Sequence, residues 1–501
     1  MAFRLTFFCA LVFGFVGRAH SAETTNQVLL DTNETLFTVL AGINTCGYDA
    51  ELNSSSPLRS QIRSEIAANI QASDDAKTAA DAMCQFYQQH QQPDGSRNLA
   101  QYVSLALYLN MPPEFAPKVK EADLAPDAAT VIGIAPLLRS FYIKAGIHPI
   151  WEKHRAAYLA LTKGYHEAVA KMLFNTEVYL KLPSAGYLGR SYTVYLEPLG
   201  ASGQTNARHY GADYFVVISP GASSVLKIDQ IRHTYLHYLL DPFALKYTEL
   251  VNRLNPLLDS VKTAPMDESF KTDSSLLITE CLIRAIEART LGSSKAPDAE
   301  KMQSVEQSMQ QGFILTAYFY DALVQFEKDP VGLRNTYGHM LLDVNLKKEQ
   351  RRASEVQFAT SADPELLHLS RPTQGKLLIT AEQRLAAGDS ANAQKLAQQA
   401  LDEKNEDAGR ALFILAEVAT ANKDIQGARG YFQKALAVAQ EPKVLAWSHI
   451  YLGRIFDLQE DRESAVQEYR AALTAGDSLP EAKAAAERGL QQPYEPPSHQ
   501  E

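Results

Sequence analysis

Residues 231–238 of this chain read IRHTYLHY and place two histidines, His233 and His237, four positions apart. On a helix, positions i and i+4 lie on the same face, so both imidazoles could reach one metal ion. With 12 histidines in 501 residues, however, such a pair also arises by chance, and both could be ordinary hydrogen-bonded core residues. The stretch therefore predicts a metal site only if its surroundings supply a further ligand.

The residues before the histidine pair have strand character. Residues 191–197 alternate and are rich in β-branched and aromatic side chains, and residues 213–218 are mostly apolar. We predict that both are strands and that they pair antiparallel, with a turn-like segment at 199–206 between them. The histidines follow on a helix that we expect to end before Pro242, because proline cannot continue the helical hydrogen-bond ladder.

A carboxylate follows on a second predicted helix. This helix begins near Asp273, ends near Arg289 and has Glu280 in its middle. Two histidines on one helix and a carboxylate from the next form a common three-ligand zinc set, with a fourth position open for water. His233, His237 and Glu280 are therefore the predicted metal ligands, and zinc is the predicted cofactor.

The order of strand, strand, His-x-x-x-His helix and Glu helix resembles that of gluzincin-type zinc metallopeptidases. The resemblance covers residues 191–345 and implies a zincin-like fold that hydrolyses peptides. Thr234, however, stands where that family has the glutamate that serves as general base. Zinc lowers the pKa of its bound water to about 7, but a threonine hydroxyl cannot take the proton from it near neutral pH. The motif is therefore degenerate, and we expect weak hydrolysis or none.

Two residues are candidates for supporting the ligands. Asp241 lies four positions after His237 and could orient that ring, or it could simply mark the end of the helix. Arg284 stands where some members of the family have an acidic residue that supports a ligand histidine. It could also form an ordinary i, i+4 ion pair with Glu280.

A rearranged site is an alternative. If His209 or His339 supplied a third nitrogen ligand, Glu280 would be free to act as the general base. The neighbouring Tyr210 and Tyr337 could then stabilise an oxyanion. The same four residues could equally be ordinary surface or packed side chains.

The first 22 residues are typical of a secretory signal peptide. Arg4 precedes an apolar run at 5–16, and small residues at 19–22 offer a cleavage site. Its removal changes the formal net charge from -10 to -12, because Arg4 and Arg18 are lost. An acidic chain is not expected to bind nucleic acid, and no later apolar segment is long enough to span a membrane. We predict an exported protein, periplasmic or secreted, that does not associate with a membrane after cleavage.

Cleavage would leave three cysteines, Cys46, Cys84 and Cys281. In an oxidising compartment Cys46 and Cys84 could form a disulfide, since Cys281 lies in a different region. Alternatively, all three could be buried thiols.

The C-terminal part is repetitive. Equivalent turns, each ending in aspartate, occur at spacings of 35 and 37 residues, and an Ala-Leu pair follows each at a similar distance; the turns are residues 387–389, 422–424 and 459–461. The period is close to the 34 residues of a helix pair in tetratricopeptide repeats, which this part resembles. The resemblance implies an array that binds protein or peptide, or the protein's own first domain.

Together these features predict a predominantly helical α+β protein, with a zincin-like domain containing a small antiparallel sheet, followed by an all-α tetratricopeptide solenoid. The predicted order is a signal peptide at 1–22, the zincin-like domain at 23–360, a linker at 361–374, repeats with a capping helix at 375–491 and a disordered tail at 492–501. The predicted function is that of an exported metallopeptidase-like protein coupled to a protein-binding array. Two alternatives stay open, a metal-free extracytoplasmic interaction scaffold and an active zinc peptidase with a displaced base.

Overall fold

A computed structural model describes residues 28–121, 124–182, 191–210, 213–223, 225–292, 294–362, 367–370, 377–404, 406–476 and 479–495. Within these ranges the chain is predominantly helical, with one small mixed sheet, in agreement with the predicted class at this coarse level. The predicted signal segment at 1–22 lies outside the described residues. None of the described helices combines the length and the apolar character needed to cross a bilayer.

The sheet has five strands in the order β1-β2-β4-β3-β5. Three neighbouring pairs are parallel, and only β3 and β4 are antiparallel. The strands are β1 Val28–Asp31, β2 Ser191–Leu196, β3 Thr205–Tyr210, β4 Asp213–Ile218 and β5 Leu367–Ser370.

The predicted antiparallel pairing of the first two strands is wrong. β2 and β4 are parallel, with Val194 opposite Val216. The segment predicted as a turn ends in β3, which pairs antiparallel with the far side of β4. The chain therefore reverses direction twice between β2 and β4, and the two strands run the same way. The sequence does not predict β3, because Asn206 and Arg208 are polar and interrupt any apolar strand pattern, although both side chains are buried.

Among the described residues, seven α-helices precede β2 and cover one face of the sheet, except that the last of them continues from Tyr165 onward into the core on the other face. Phe37 and Tyr158 pack on the first of these faces in one core with Tyr195 and Val217 from the strands. A disulfide joins Cys46, at the end of the first helix, to Cys84 in the third, while Cys281 is a buried free thiol. The helices are α1 Glu34–Thr45, α2 Pro57–Gln71, α3 Asp74–Gln89, α4 Gly95–Tyr108, α5 Pro126–Thr130, α6 Ala135–Lys144 and α7 Ile147–Leu180.

Eight of the described helices lie between β4 and β5 in the chain and pack on the other face, where they form the larger core with Tyr192, Val194 and Val216. They are α8 Ile228–Lys246, α9 Thr248–Asn252, α10 Glu268–Thr272, α11 Ser274–Arg289, α12 Asp298–Gln310, α13 Thr316–Lys328, α14 Leu333–Leu342 and α15 Leu346–Ser354.

The predicted end of the histidine helix at Pro242 is also wrong. α8 contains Pro242 and continues to Lys246. Phe243 and Ala244 are buried beyond the proline, so tertiary packing outweighs the hydrogen bond that Pro242 cannot donate.

The C-terminal part consists of three helix pairs and a final single helix. Each aspartate of the repeated turns caps the second helix of its pair by accepting a backbone N–H three residues on. This explains why the turns recur, and the family assignment stays a prediction. The helices are α16 Leu377–Ala386, α17 Ser390–Glu403, α18 Ala408–Ala421, α19 Ile425–Val438, α20 Pro442–Leu458, α21 Arg462–Ala475 and α22 Pro480–Gln491.

The segments predicted as a linker and as a tail both make contacts with the rest of the chain. The linker at 361–374 contains β5, which pairs in parallel with β3 and so extends the sheet. Within the predicted tail, the backbone N–H of Tyr494 donates to Asp457 Oδ2 over 2.8 Å. The rest of the predicted disordered tail lies outside the described residues.

Candidate metal centre

Helices α8 and α11 bring the three predicted ligands together beneath the sheet. One ligand atom from each of His233, His237 and Glu280 lies within 4.8 Å of the others. Glu280 Oε2 is 3.5 Å from His233 Nε2 and 3.2 Å from His237 Nε2. Within the described residues no other group of His, Cys, Asp and Glu meets this condition.

The separations match those between two ligands of one zinc ion. Donor atoms at about 2.0–2.1 Å from a tetrahedral zinc lie roughly 3.3–3.4 Å apart. The two distances from Glu280 Oε2 bracket this value. Glu280 is therefore already spaced from each histidine as one zinc ligand is from another, and all three ligand atoms lie within 4.8 Å of one another.

His237 directs one ring nitrogen at the carboxylate of the centre. Its side chain is only 2% exposed, and its Nε2 lies 3.2 Å from Glu280 Oε2. Nδ1 lies 2.9 Å from Asp241 Oδ1, and Tyr214 donates its hydroxyl to Asp241 Oδ2 over 3.3 Å. Asp241 thus holds Nδ1 and orients the ring so that Nε2 is directed at Glu280, as in carboxylate–histidine–zinc arrangements.

His233 is held in the same way by a residue that the sequence reading missed. Its Nδ1 lies 2.9 Å from Glu287 Oε1. Glu287 follows Glu280 by seven positions, or two helical turns, so both carboxylates lie on one face of α11. That spacing is the signal that could have identified Glu287.

Arg284 pairs with the predicted carboxylate ligand itself. Its Nε donates to Glu280 Oε1 over 2.7 Å, and its guanidinium lies 3.9 Å from the centre of the Phe313 ring. Oε1 is therefore occupied, and Oε2 faces the histidines. Arg284 forms the i, i+4 ion pair and also orients a ligand, so the two interpretations left open by the sequence coincide.

The centre carries an excess of negative charge. Asp241, Glu280 and Glu287 provide three carboxylates, against the guanidinium of Arg284 on Glu280 and that of Arg232 near Glu287. One negative charge remains if both imidazoles are neutral. A metal ion and the imidazole protons therefore compete for the same carboxylates.

The protonation of the metal-free centre follows from these charges. Burial would lower the pKa of His233, but Glu287 and Glu280 outweigh burial and raise it to about 10. Burial would also lower the pKa of His237, but the negative charges of Asp241 and Glu280 outweigh burial and raise that pKa. His233 and Arg284 overcome the effect of burial on Glu280 and hold its pKa well below the usual range. Without a cation, the centre is a network of hydrogen bonds and ion pairs.

Thr234 is turned away from the three ligands. Its Oγ1 donates to the backbone carbonyl of Ile231 over 2.8 Å and shares a short hydrogen bond with the hydroxyl of Tyr192 on β2. The side chain is buried against the sheet. The position next to the first histidine therefore offers no group that could accept a proton from metal-bound water.

The four residues of the rearranged site do not join the centre. The ring of His209 stacks on Tyr214 at 4.1 Å, and His339 is exposed on α14. Tyr210 lies on the opposite face of the sheet, where its hydroxyl is 2.7 Å from Ser104 Oγ. Tyr337 is buried between aromatic rings. The described residues supply no third nitrogen ligand, so nothing here frees Glu280 to act as a base.

Comparisons with protein-family models, with curated proteins and with solved structures find no match to this chain.

Proposed function

We propose that this protein binds one zinc ion through His233, His237 and Glu280, and that it is a metallopeptidase-like protein with weak peptidase activity or none. The observation that carries the proposal is the convergence of one ligand atom from each of these residues within 4.8 Å, with Nε2 of both histidines directed at Glu280 Oε2.

The ligands have the supports that metal sites use. Asp241 and Glu287 each bind the Nδ1 of one histidine, and Arg284 binds the far oxygen of Glu280. These contacts fix the tautomers and ring orientations before a metal enters. Three protein ligands would leave a fourth position for water, whose pKa zinc lowers.

None of the described side chains around the ligands is positioned to complete hydrolysis. Thr234 bonds to Ile231 and Tyr192, and the other carboxylates near the ligands are held by the histidines. The absence of a positioned general base reduces a hydrolytic rate by about 10²–10⁴. Metal binding without efficient peptide cleavage is the function that these contacts support best.

Metal analysis of the purified full-length protein tests the proposal. We expect about one zinc per chain in the unmutated protein and almost none in His237→Ala. His339→Ala is the matched control, because it removes an exposed histidine that lies outside the centre. If the unmutated protein takes up no zinc even when zinc is supplied, the proposal is wrong.

A metal-free interaction scaffold is the second candidate. One observation favours it: the raised pKa of His233 lets the centre neutralise itself with protons. In that case the repeats would carry the function by binding a protein or peptide, in an exported protein. A folded protein that contains no zinc, and whose stability zinc does not change, would support the scaffold.

A further inference from the structure

Two of the contacts that the C-terminal helices make with the first domain lie close to Asp241 in the chain. One contact reaches the strand that carries Tyr214, the donor to Asp241. The other reaches the end of α8, the helix that carries Asp241 itself. In both cases only a few residues separate the contact from the hydrogen bond that orients His237.

The first contact is an ion pair across the interface. Lys443, at the start of α20, binds the carboxylate of Asp213, the first residue of β4. Asp213 also accepts the hydroxyl of Ser191 over 2.7 Å, so its position is held from two sides. The next residue is Tyr214, whose hydroxyl donates to Asp241 Oδ2. Lys443 thus anchors the end of the strand from which Tyr214 reaches Asp241.

The second contact lies on the histidine helix. α16 packs against α8, and Arg384 Nη1 donates to the carbonyl of Leu245 over 2.7 Å. Between Leu245 and His237 lies Pro242, which cannot donate the helical hydrogen bond to the carbonyl of Tyr238. The helix is most easily bent at this point, next to Asp241. Arg384 therefore stabilises the last turn of α8 just beyond its weakest turn.

From these contacts we propose that the docked C-terminal helices position Asp241 and thereby set the metal affinity of the centre. This inference rests on the proposed metal site and concerns its regulation. When the helices are docked, Lys443 and Arg384 hold Tyr214 and the end of α8, and Asp241 keeps its 2.9 Å contact with His237 Nδ1. When they are displaced, α8 can bend at Pro242 and the contact is lost.

The inference predicts a link between the interface and the metal in the full-length protein. We expect the double variant Lys443→Ala/Arg384→Ala to bind zinc about tenfold more weakly, at the low end of the roughly 10–100-fold loss seen when a residue that orients a ligand is removed. Affinity is measured by competition with a chromophoric chelator. Lys395→Ala, an exposed change on α17, is the matched control and should leave affinity unchanged.

A mutant cycle shows whether the effect passes through Asp241. Asp241→Asn should itself weaken zinc binding, and adding the interface changes to it should produce no further loss. If the two interface residues only contributed to general stability, the losses of zinc affinity from the interface changes and from Asp241→Asn would multiply. Small-angle X-ray scattering reports whether the C-terminal helices have moved in the double variant. If they have not moved, Lys443→Glu/Arg384→Glu is used in place of the two alanine substitutions.

The outcomes separate this inference from the function on which it depends. Unchanged zinc affinity in a variant whose C-terminal helices have moved, or multiplicative losses in the Asp241→Asn background, would overturn the inference alone. Failure of the unmutated protein to bind zinc would overturn both. The inference is supported if the interface double variant binds zinc more weakly in the otherwise unmutated protein but causes no further loss in the Asp241→Asn background.

Discussion

At the scale of single residues, the centre is defined as much by its supporting side chains as by its ligands. His233 and His237 each present one nitrogen to Glu280, and each has the other nitrogen held by a carboxylate. Thr234 lies between them in sequence but faces the sheet, where Tyr192 binds it. Neighbours in sequence therefore have different roles, because one helical step of about 100° turns the side chain from α11 to β2.

Substitution of Thr234 by Glu should not create a peptidase. The new carboxylate would be buried against Tyr192, so we expect the free energy of unfolding to fall by at least about 1–3 kcal/mol. Chemical denaturation and a fluorogenic peptide assay measure the two effects. Thr234→Ser keeps the hydroxyl and is the control for stability. Full stability together with new hydrolysis in Thr234→Glu would mean that this side chain can reach the metal after all.

Substitution of Glu287 by Gln tests the support of His233. The amide keeps the shape but removes the charge next to Nδ1, so zinc affinity should fall about 10–100-fold. Chelator competition measures the affinity, and Glu300→Gln, an exposed change on α12, is the control. Equal affinities in the two variants would show that Glu287 does not support a ligand.

At the scale of elements, contacts between helices and strands decide where side chains point. α8 lies against β2 and β4 on one side and against α11 on the other, so its faces carry different chemistry. On the opposite face of the sheet, Glu197 directly follows β2 and accepts the hydroxyl of Tyr158 on α7 and the N–H of Leu199, each over 2.9 Å. This acid connects the end of a strand to a long helix inside the core.

Glu197 should make stability depend on pH. Burial raises its pKa from 4.5 to about 8, against the hydrogen bonds from Leu199 and Tyr158. The unfolded chain loses this proton near 4.5 and the folded chain only near 8, so the stabilisation is complete below 4.5 and is lost as the pH rises to 8. Within this window, Glu197 lowers the free energy of unfolding by at most about 1.4 kcal/mol for each pH unit of increase.

Glu197→Gln mimics the protonated acid and should remove that slope. The free energy of unfolding, measured by denaturant titration between pH 4.5 and 8, should fall more steeply in the unmutated protein than in the variant. Parallel curves would show that Glu197 ionises in the folded protein as it does in the unfolded chain.

At the scale of the whole molecule, the metal, the fold and the C-terminal helices are expected to be linked. The ligands come from two helices, and His237 and Glu280 are 43 positions apart in the sequence. The site therefore exists only when the domain is folded. A ligand that binds only the folded state stabilises it by mass action. The same argument extends to the interface made by Lys443 and Arg384.

Zinc should therefore raise the thermal stability of the protein. At a free concentration 100 times Kd the expected gain is about 2.7 kcal/mol. Differential scanning calorimetry of chelator-treated protein, with and without added zinc, measures the shift in Tm. His237→Ala should show no shift, and an equal shift in that variant would place the bound zinc elsewhere.

Local sequence patterns were enough to predict several helices of this protein and which residues share a helical face. The i, i+4 spacing of His233 and His237 placed both on one helical face, because it depends on residues a single turn apart, and the period of the repeated turns predicted helix pairs. The position of Glu280 in the middle of its helix followed from the same periodicity. These features require no knowledge of how distant segments meet.

Only the tertiary structure decided which groups meet at the centre and what each does there. The parallel pairing of β2 with β4 depends on β3, whose buried polar residues have no strand pattern. The continuation of α8 through Pro242 depends on packing beyond it. The contacts of Glu287 with His233, of Thr234 with Tyr192 and of Lys443 with Asp213 join residues 54, 42 and 230 positions apart. Such contacts form because folding buries apolar surface across the whole chain, and no local pattern records which side chains that burial brings together.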